Sequence, residues 1–143
     1  METHLTDISR VIQLAVAPVF LLTALATLVA TLNVRLGRNV DRRRLLQDRI
    51  SQGDPHAALD RDELRVLLQR IRLIYFAILA AVAGALLVCL VVAGAFLGAL
   101  LSVDLARAVA VLFILAMVAL IASLGIFLRE VFLAVSNATH HLP

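Results

Sequence analysis

The histidines, the side chains best suited to bind a haem or a metal ion, all lie outside the apolar parts of the sequence. They are His4, His56, His140 and His141. A haem in a membrane helix bundle needs axial ligands inside the helices. Two adjacent histidines near the chain end do not supply the spaced ligands of a metal site. The sequence therefore predicts no cofactor and no metal site.

Nucleophiles and acids also lack the partners that catalysis requires. Ser123 and Cys89 lie in apolar stretches with no histidine or carboxylate at a comparable position, although a nucleophile needs an adjacent base. Helix caps and solvated helix faces account for a cluster of acids between two apolar stretches, namely Asp54, Asp60, Asp62 and Glu63. The sequence contains no glycine-rich phosphate loop. We predict that the protein is not an enzyme and has no catalytic residue.

A stripe of threonines is the polar feature of the first apolar stretch. Thr23, Thr27 and Thr31 are spaced by four residues, and Asn33 and Arg35 follow them. Threonine hydroxyls in a helix bond to the backbone one turn earlier or to a neighbouring helix, which is the structural interpretation. The alternative is a water-facing stripe that lines a passive pore in a homo-oligomer, where a ring of arginines would favour anions.

A cluster of arginines comes directly after this stretch: Arg38, Arg42, Arg43, Arg44 and Arg49. Such a cluster near a membrane attracts anionic lipid, and it is also a surface on which a partner could dock. Nearby acids and the absence of interleaved aromatic side chains argue against nucleic acid binding. We predict contact with membrane lipid or a protein partner, and no nucleic acid partner.

Small residues form a face on the second apolar stretch. Gly94 and Gly98 are spaced by four residues, and Gly84 continues the same face. Small residues let membrane helices approach closely. We assign these glycines to helix packing, and we expect a homo-oligomer, because three helices make a thin bundle with such faces left to bury.

The elements that must position these residues are three uncharged stretches, residues 11–34, 73–103 and 108–128. They raise the hydrophobic content to 62%, against about 45–50% in ordinary soluble domains. Each exceeds the roughly 18 apolar residues that indicate a membrane-spanning helix. The first is too long for the apolar core of a signal peptide, and its N-terminal flank is acidic rather than basic. Ionisable groups at membrane depth would indicate an ion-coupled transporter, and these stretches contain none.

The sequence thus predicts an all-α fold in a single membrane domain, residues 1–143. The predicted membrane helices are TM1 (about 11–34), TM2 (about 73–101) and TM3 (about 104–135). Residues 35–72 are predicted to continue TM1 and TM2 as an antiparallel helical hairpin with a turn at "QGDP", residues 52–55. Apolar stripes on its two helices support this prediction: Leu36, Val40, Leu45, Leu46 and Ile50 on the first, and Leu64, Leu67, Leu68, Ile71 and Ile74 on the second.

Charge asymmetry predicts the orientation of the chain. Residues 35–72 contain ten arginines and six acids, which leaves a net charge of +4. Arginine-rich connections stay on the cytoplasmic side of a membrane. We therefore predict a multi-pass protein of a bacterial inner (plasma) membrane, with the hairpin and the C-terminus cytoplasmic and the N-terminus outside.

Two stretches carry a resemblance to a known family. "IQLAVAPVFLLTALATLVATLNVRLGRNVDRRRLL", with Pro18-Val19-Phe20 and Asp41-Arg42, and "ELRVLLQRIRLIYFAI" resemble a bacterial family of small integral membrane proteins, domain of unknown function 2721. The resemblance covers roughly residues 8–135. It implies a multi-pass membrane protein and no activity. Two functions therefore stay open: a homo-oligomer with a passive pore lined by TM1, or a membrane scaffold whose arginine-rich hairpin docks a partner or anionic lipid.

Overall fold

The computed structural model describes residues 2–53, 55 and 57–139, with the side chains of residues 9–10, 12–53, 55 and 58–136. These residues form α1 (Glu2–Ser51), α2 (Ala57–Leu101) and α3 (Ala106–Thr139), and no strand occurs among them. The predicted all-α fold of three helices is confirmed. The side chains of His4, Asp54, His56, His140 and His141 lie outside the described residues.

The helices run without a break through the predicted ends of the apolar stretches. α1 continues past Val34 to Ser51, and α2 is already helical at Ala57. Asp60 lies in the first turn of α2. Gly53, in the predicted turn, follows the end of α1 with a φ of 72°, a conformation that glycine adopts at no steric cost.

α2 ends in a C-terminal cap that was not predicted from the sequence. Ser102 has a φ of 55°, and the N–H of Val103 donates to the carbonyl of Gly98 over 3.1 Å. This is the Schellman arrangement at a helix C-terminus, with serine where glycine is usual. Asp104 Oδ1 then accepts from the N–H of Ala106 at 3.1 Å, so α3 begins two residues later than the predicted start at residue 104.

The chain divides into two compact units. The first unit contains the residues up to Val29 together with Ala80–Ile121. Its core is apolar, because Leu25, Ala81, Val88 and Ala116 from the three helices are fully buried. The second unit contains Ala30–Leu79 and the residues from Ala122 onward. Its buried set mixes apolar and polar side chains: Leu32, Leu46, Leu67, Ile74, Ala77, Asn39, Ser123 and Glu130.

Buried positions recur every seven residues along each helix. These seam positions are Pro18, Leu25, Leu32, Asn39 and Leu46 in α1, Leu67, Ile74, Ala81 and Val88 in α2, and Ala116, Ser123 and Glu130 in α3. A spacing of seven keeps one narrow side of a helix against its neighbours, as in coiled coils. The predicted wider stripes are therefore partly wrong, since Leu45 and Leu68 are 43% and 42% exposed.

All three helices present large apolar side chains outward. Phe20 is 72% exposed, Leu100 is 80% exposed and Phe132 is 68% exposed. Each helix also contains a stretch that is long and apolar enough to cross a membrane. Contiguous exposed apolar surface of this extent is costly in water and ordinary against lipid tails. The architecture is that of a multi-pass membrane protein.

Candidate functional site: a buried carboxylate between two arginines

Glu130 of α3 is fully buried, and it lies in the second unit between arginines from the other two helices. Arg35 Nη1 of α1 donates to its Oε2 at 3.1 Å. Arg70 of α2 donates to its Oε1 through Nε at 3.1 Å and Nη2 at 2.9 Å. Arg35 and Glu130 each lie just after an uncharged stretch, which places them at a similar depth. The participation of Arg70 was not predicted.

The seam explains why these three side chains meet. Glu130 follows Ser123 by one seven-residue period, so α3 presents it inward. Arg70 lies between the seam residues Leu67 and Ile74 of α2. It occupies the second inward position of a seven-residue repeat. Arg35, three residues after Leu32, occupies the equivalent position in α1.

The electrostatics of this cluster favour a fixed arrangement. Two guanidinium groups and one carboxylate leave a net charge of +1, and the side chains of Arg35 and Arg70 are 39% and 24% exposed. A buried carboxylate is tolerated when its oxygens are paired and hydrogen-bonded, and both oxygens of Glu130 are. Arg35 also lies over the ring of Phe127, with Cζ 5.0 Å from the ring centre, which adds a cation–π contact. The cluster is a clamp that joins three helices.

A second ion pair joins α1 to α2. Arg42 donates to Glu63 Oε1 through Nη2 at 2.8 Å and Nε at 2.9 Å. Both side chains are nearly half exposed, so this pair contributes at most about 1 kcal/mol. It resembles the clamp in chemistry but not in burial.

Other polar side chains of the second unit lie buried near the seam. Ser123 Oγ donates to the carbonyl of Ala77 at 2.7 Å, which ties α3 to α2. Nδ2 of Asn39 and Nε of Arg43 are buried and have no hydrogen-bond partner among the described residues. These two donors are one helical turn apart on α1, so polar groups line this part of α1 beyond the Glu130 clamp.

The residues predicted to line a pore differ in their surroundings. Thr23 donates to the carbonyl of Val19 at 3.2 Å, and Thr27 donates to the carbonyl of Thr23 at 2.9 Å, which is the structural interpretation of these hydroxyls. Thr31 and Asn33 are exposed. Arg35 is brought to Glu130 instead of standing alone as a ring cation.

The predicted docking arginines are also divided. Arg38, Arg44 and Arg49 are exposed, and within the described part of the chain none of them makes an ion pair. Arg42 is paired with Glu63, and Arg43 is half-buried. The free positive surface of this segment is therefore smaller than the sequence suggests.

The three glycines assigned to helix packing lie against α3 or the turn before it. A Cβ on Gly84 would be 3.4 Å from Ala119 Cβ, and one on Gly94 would be 3.2 Å from Val109 Cγ2. A Cβ on Gly98 would be 3.2 Å from the carbonyl oxygen of Val103. At all three glycines, two segments of the chain therefore approach each other closely.

The first unit also has an open cleft of about 720 Å³ beside Gly94 and Gly98. Its lining is mostly apolar, and its charged lining residues are Arg10 and Asp104. The threonine stripe does not line this cleft. Among the described residues, no group of three or more histidine, cysteine, aspartate or glutamate side chains could hold a metal ion.

Comparison with known proteins gives one match. The family model described as "Protein of unknown function (DUF2721)" matches residues 15–140. No curated protein and no solved structure matches the chain. The match includes the second quoted stretch and the first from Ala15 onward, and it extends over α2, α3 and the part of α1 from Ala15. It confirms the resemblance drawn from the sequence, and the chain belongs to this family of proteins of unknown function.

Proposed function

We propose that this protein is a non-enzymatic scaffold of a bacterial inner membrane, and that its arginine-rich helical hairpin docks an acidic protein partner on the cytoplasmic side. The arginine arm consists of residues 35–51 of α1 and 57–72 of α2. In this proposal the N-terminus is outside and the C-terminus is cytoplasmic, as the distribution of arginines favours.

The register of the ion pairs supports an antiparallel arm. Arg35 and Arg70 bind the same carboxylate, and Arg42 is paired with Glu63. Arg42 lies seven residues after Arg35, and Glu63 lies seven residues before Arg70. The partners therefore move seven residues forward in α1 and seven residues backward in α2. This is the pairing expected of two antiparallel helices. The Glu130 clamp then stands at the base of the arm.

The observation that carries the proposal is that Arg38, Arg44 and Arg49 on this arm are exposed and make no ion pair with any of the described residues. A helix rises about 1.5 Å per residue, so Arg44 and Arg49 lie roughly 14 and 21 Å beyond Arg35 along the axis. Charges are screened over about 8 Å at physiological salt. An arm that follows the direction of α1 out of the membrane therefore holds these two arginines too far away to bind lipid. An acidic macromolecule is the partner that they suit.

The test uses the full chain in nanodiscs of neutral phosphatidylcholine, with fluorescent polyglutamate as the acidic probe. Binding should weaken with rising salt. The R44Q/R49Q variant should bind about fivefold to tenfold more weakly, from a fraction of a kcal/mol for each exposed charge pair. The matched control is R10Q/R107Q, which also removes two exposed arginines but lies outside the arm.

Equal weakening of both variants would refute docking by the arm, because only net charge would then matter. A second comparison replaces polyglutamate with vesicles of phosphatidylglycerol. Preferential loss of vesicle binding in R44Q/R49Q, with polyglutamate binding unchanged, would assign the arm to lipid and also contradict the proposal.

A homo-oligomeric pore lined by α1 is the second candidate. The exposed stripe of Thr23, Thr27 and Thr31 favours it, since one chain cannot enclose a pore and a symmetric ring of α1 helices could. The engagement of Arg35 by Glu130 counts against an anion-selecting ring. Chloride flux through liposomes decides between the two: the scaffold proposal expects the leak of protein-free liposomes, and flux above it supports the pore.

A further inference from the structure

Two arginines other than Arg38, Arg44 and Arg49 line one cleft of the second unit. Arg72 of α2 and Arg129 of α3 open onto a cleft of about 330 Å³. The other lining residues are Gln69, Leu73, Phe76 and Leu133. From these residues we infer that the cleft binds the phosphate of one anionic phospholipid.

The position of the two arginines along the chain places them at the edge of the apolar stretches. Arg72 immediately precedes the uncharged stretch 73–103, and Arg129 immediately follows the uncharged stretch 108–128. Arginines at such boundaries extend toward the headgroup level of a bilayer. The cleft therefore brings two cations from separate helices to the depth at which lipid phosphates lie.

Among the residues that the structure describes, nothing neutralises the charges of Arg72 and Arg129 in the cleft. Within the described part of the chain no acid lines the cleft, and neither arginine makes an ion pair. Glu130 follows Arg129 in the sequence, but it is fully buried, and its carboxylate is paired with Arg35 and Arg70. These two arginines can therefore accept an anion from outside the chain.

The apolar lining of the cleft suits the glycerol and acyl parts of a phospholipid. Arg72 stands over the ring of Phe76, with Cζ 5.7 Å from the ring centre, so the guanidinium lies directly beside apolar surface. Leu73 and Leu133 supply further apolar lining for glycerol and the first acyl carbons. Guanidinium groups bind phosphate oxygens in paired hydrogen bonds, and the Gln69 amide adds a donor. A free phosphate would use only the polar half of this cleft.

The test is native mass spectrometry of the detergent-solubilised full chain, mixed with equal amounts of phosphatidylglycerol and phosphatidylcholine that share the same acyl chains. The wild type should retain one phosphatidylglycerol in preference to phosphatidylcholine. The R72Q/R129Q variant should bind it about 30-fold more weakly, from the usual contribution of an arginine near an anionic lipid surface. R129Q alone should bind about fivefold more weakly, which keeps a readout if the double variant loses its helical circular dichroism.

The matched control is R61Q/R65Q, which removes two exposed arginines of α2 outside the cleft and should retain wild-type binding. Equal retention of the two lipids by the wild type, or an equal loss in the control, would overturn the site. Displacement of the phosphatidylglycerol by inorganic phosphate at a similar concentration would assign the cleft to a free anion and overturn the lipid. Retention of the lipid in excess phosphate supports it.

Discussion

Replacement of Glu130 with alanine should lower the free energy of unfolding by about 3 kcal/mol. The carboxylate is fully buried and is the shared acceptor of Arg35 and Arg70. Its removal leaves two guanidinium groups next to each other with no counter-charge. This loss is at the low end of the range usual for a broken buried ion pair, because both arginines are partly exposed and can be hydrated. Loss of helical circular dichroism during SDS titration of detergent micelles measures the change.

Glu63→Ala is the matched control for this prediction. It breaks an arginine–glutamate pair of similar geometry whose side chains are nearly half exposed, so it should cost less than about 1 kcal/mol. The R35L/E130L/R70L variant should recover most of the loss, since apolar replacement of a complete buried ion cluster is often neutral. Equal effects of Glu130→Ala and Glu63→Ala would show that the clamp is not the buried junction described above.

Replacement of Gly84 with leucine should destabilise the chain by about 1–3 kcal/mol, the usual effect of overpacking. Gly84 of α2 is buried. A Cβ there would already be 3.4 Å from Ala119 Cβ and 3.5 Å from the carbonyl oxygen of Ala116. The outer carbons of leucine extend beyond this Cβ, so we expect α2 and α3 to separate locally. The same SDS titration measures this loss.

Two further glycine variants control this experiment. Gly84→Ala adds a Cβ at ordinary contact distance, so its effect should stay near zero or become a gain of up to about 1 kcal/mol from helix propensity. Gly125→Leu makes the large substitution at a position where a Cβ meets nothing within 4 Å, and it should also be tolerated. A loss at Gly125 as large as at Gly84 would mean that the substitution itself, and not the close approach of α2 to α3, is responsible.

The helices were predictable because their cause is local. A run of apolar residues such as 73–103 has to be helical inside lipid, where each backbone polar group needs an internal partner. The side of each helix that packs inward was less predictable. The apolar side chains of Leu45 and Leu46, or of Leu67 and Leu68, are equivalent by type. Only the contacts between helices decide that Leu46 and Leu67 are buried while their neighbours are exposed.

The clamp was predictable in part for a similar reason. Depth along the chain brings Arg35 and Glu130 to one level, and this much follows from the lengths of the apolar stretches. The choice of Arg70 over Arg72 depends on rotation about α2, which composition does not reveal. The seven-residue spacing of Leu67 and Ile74 is the signal that would have found it, because Arg70, unlike Arg72, lies at an inward position between them.

The most direct test of the scaffold account is the side of the membrane on which the arginine arm lies. The measurement is labelling by a membrane-impermeant maleimide in a Cys89→Ser background, with Ser51→Cys at the end of α1 or Ser102→Cys in the turn before α3. Both serines are exposed. The account predicts that the Ser102→Cys variant is labelled in intact cells and that the Ser51→Cys variant is labelled only after the membrane is permeabilised. Labelling of the Ser51→Cys variant in intact cells, or labelling of both from the same side, would contradict it.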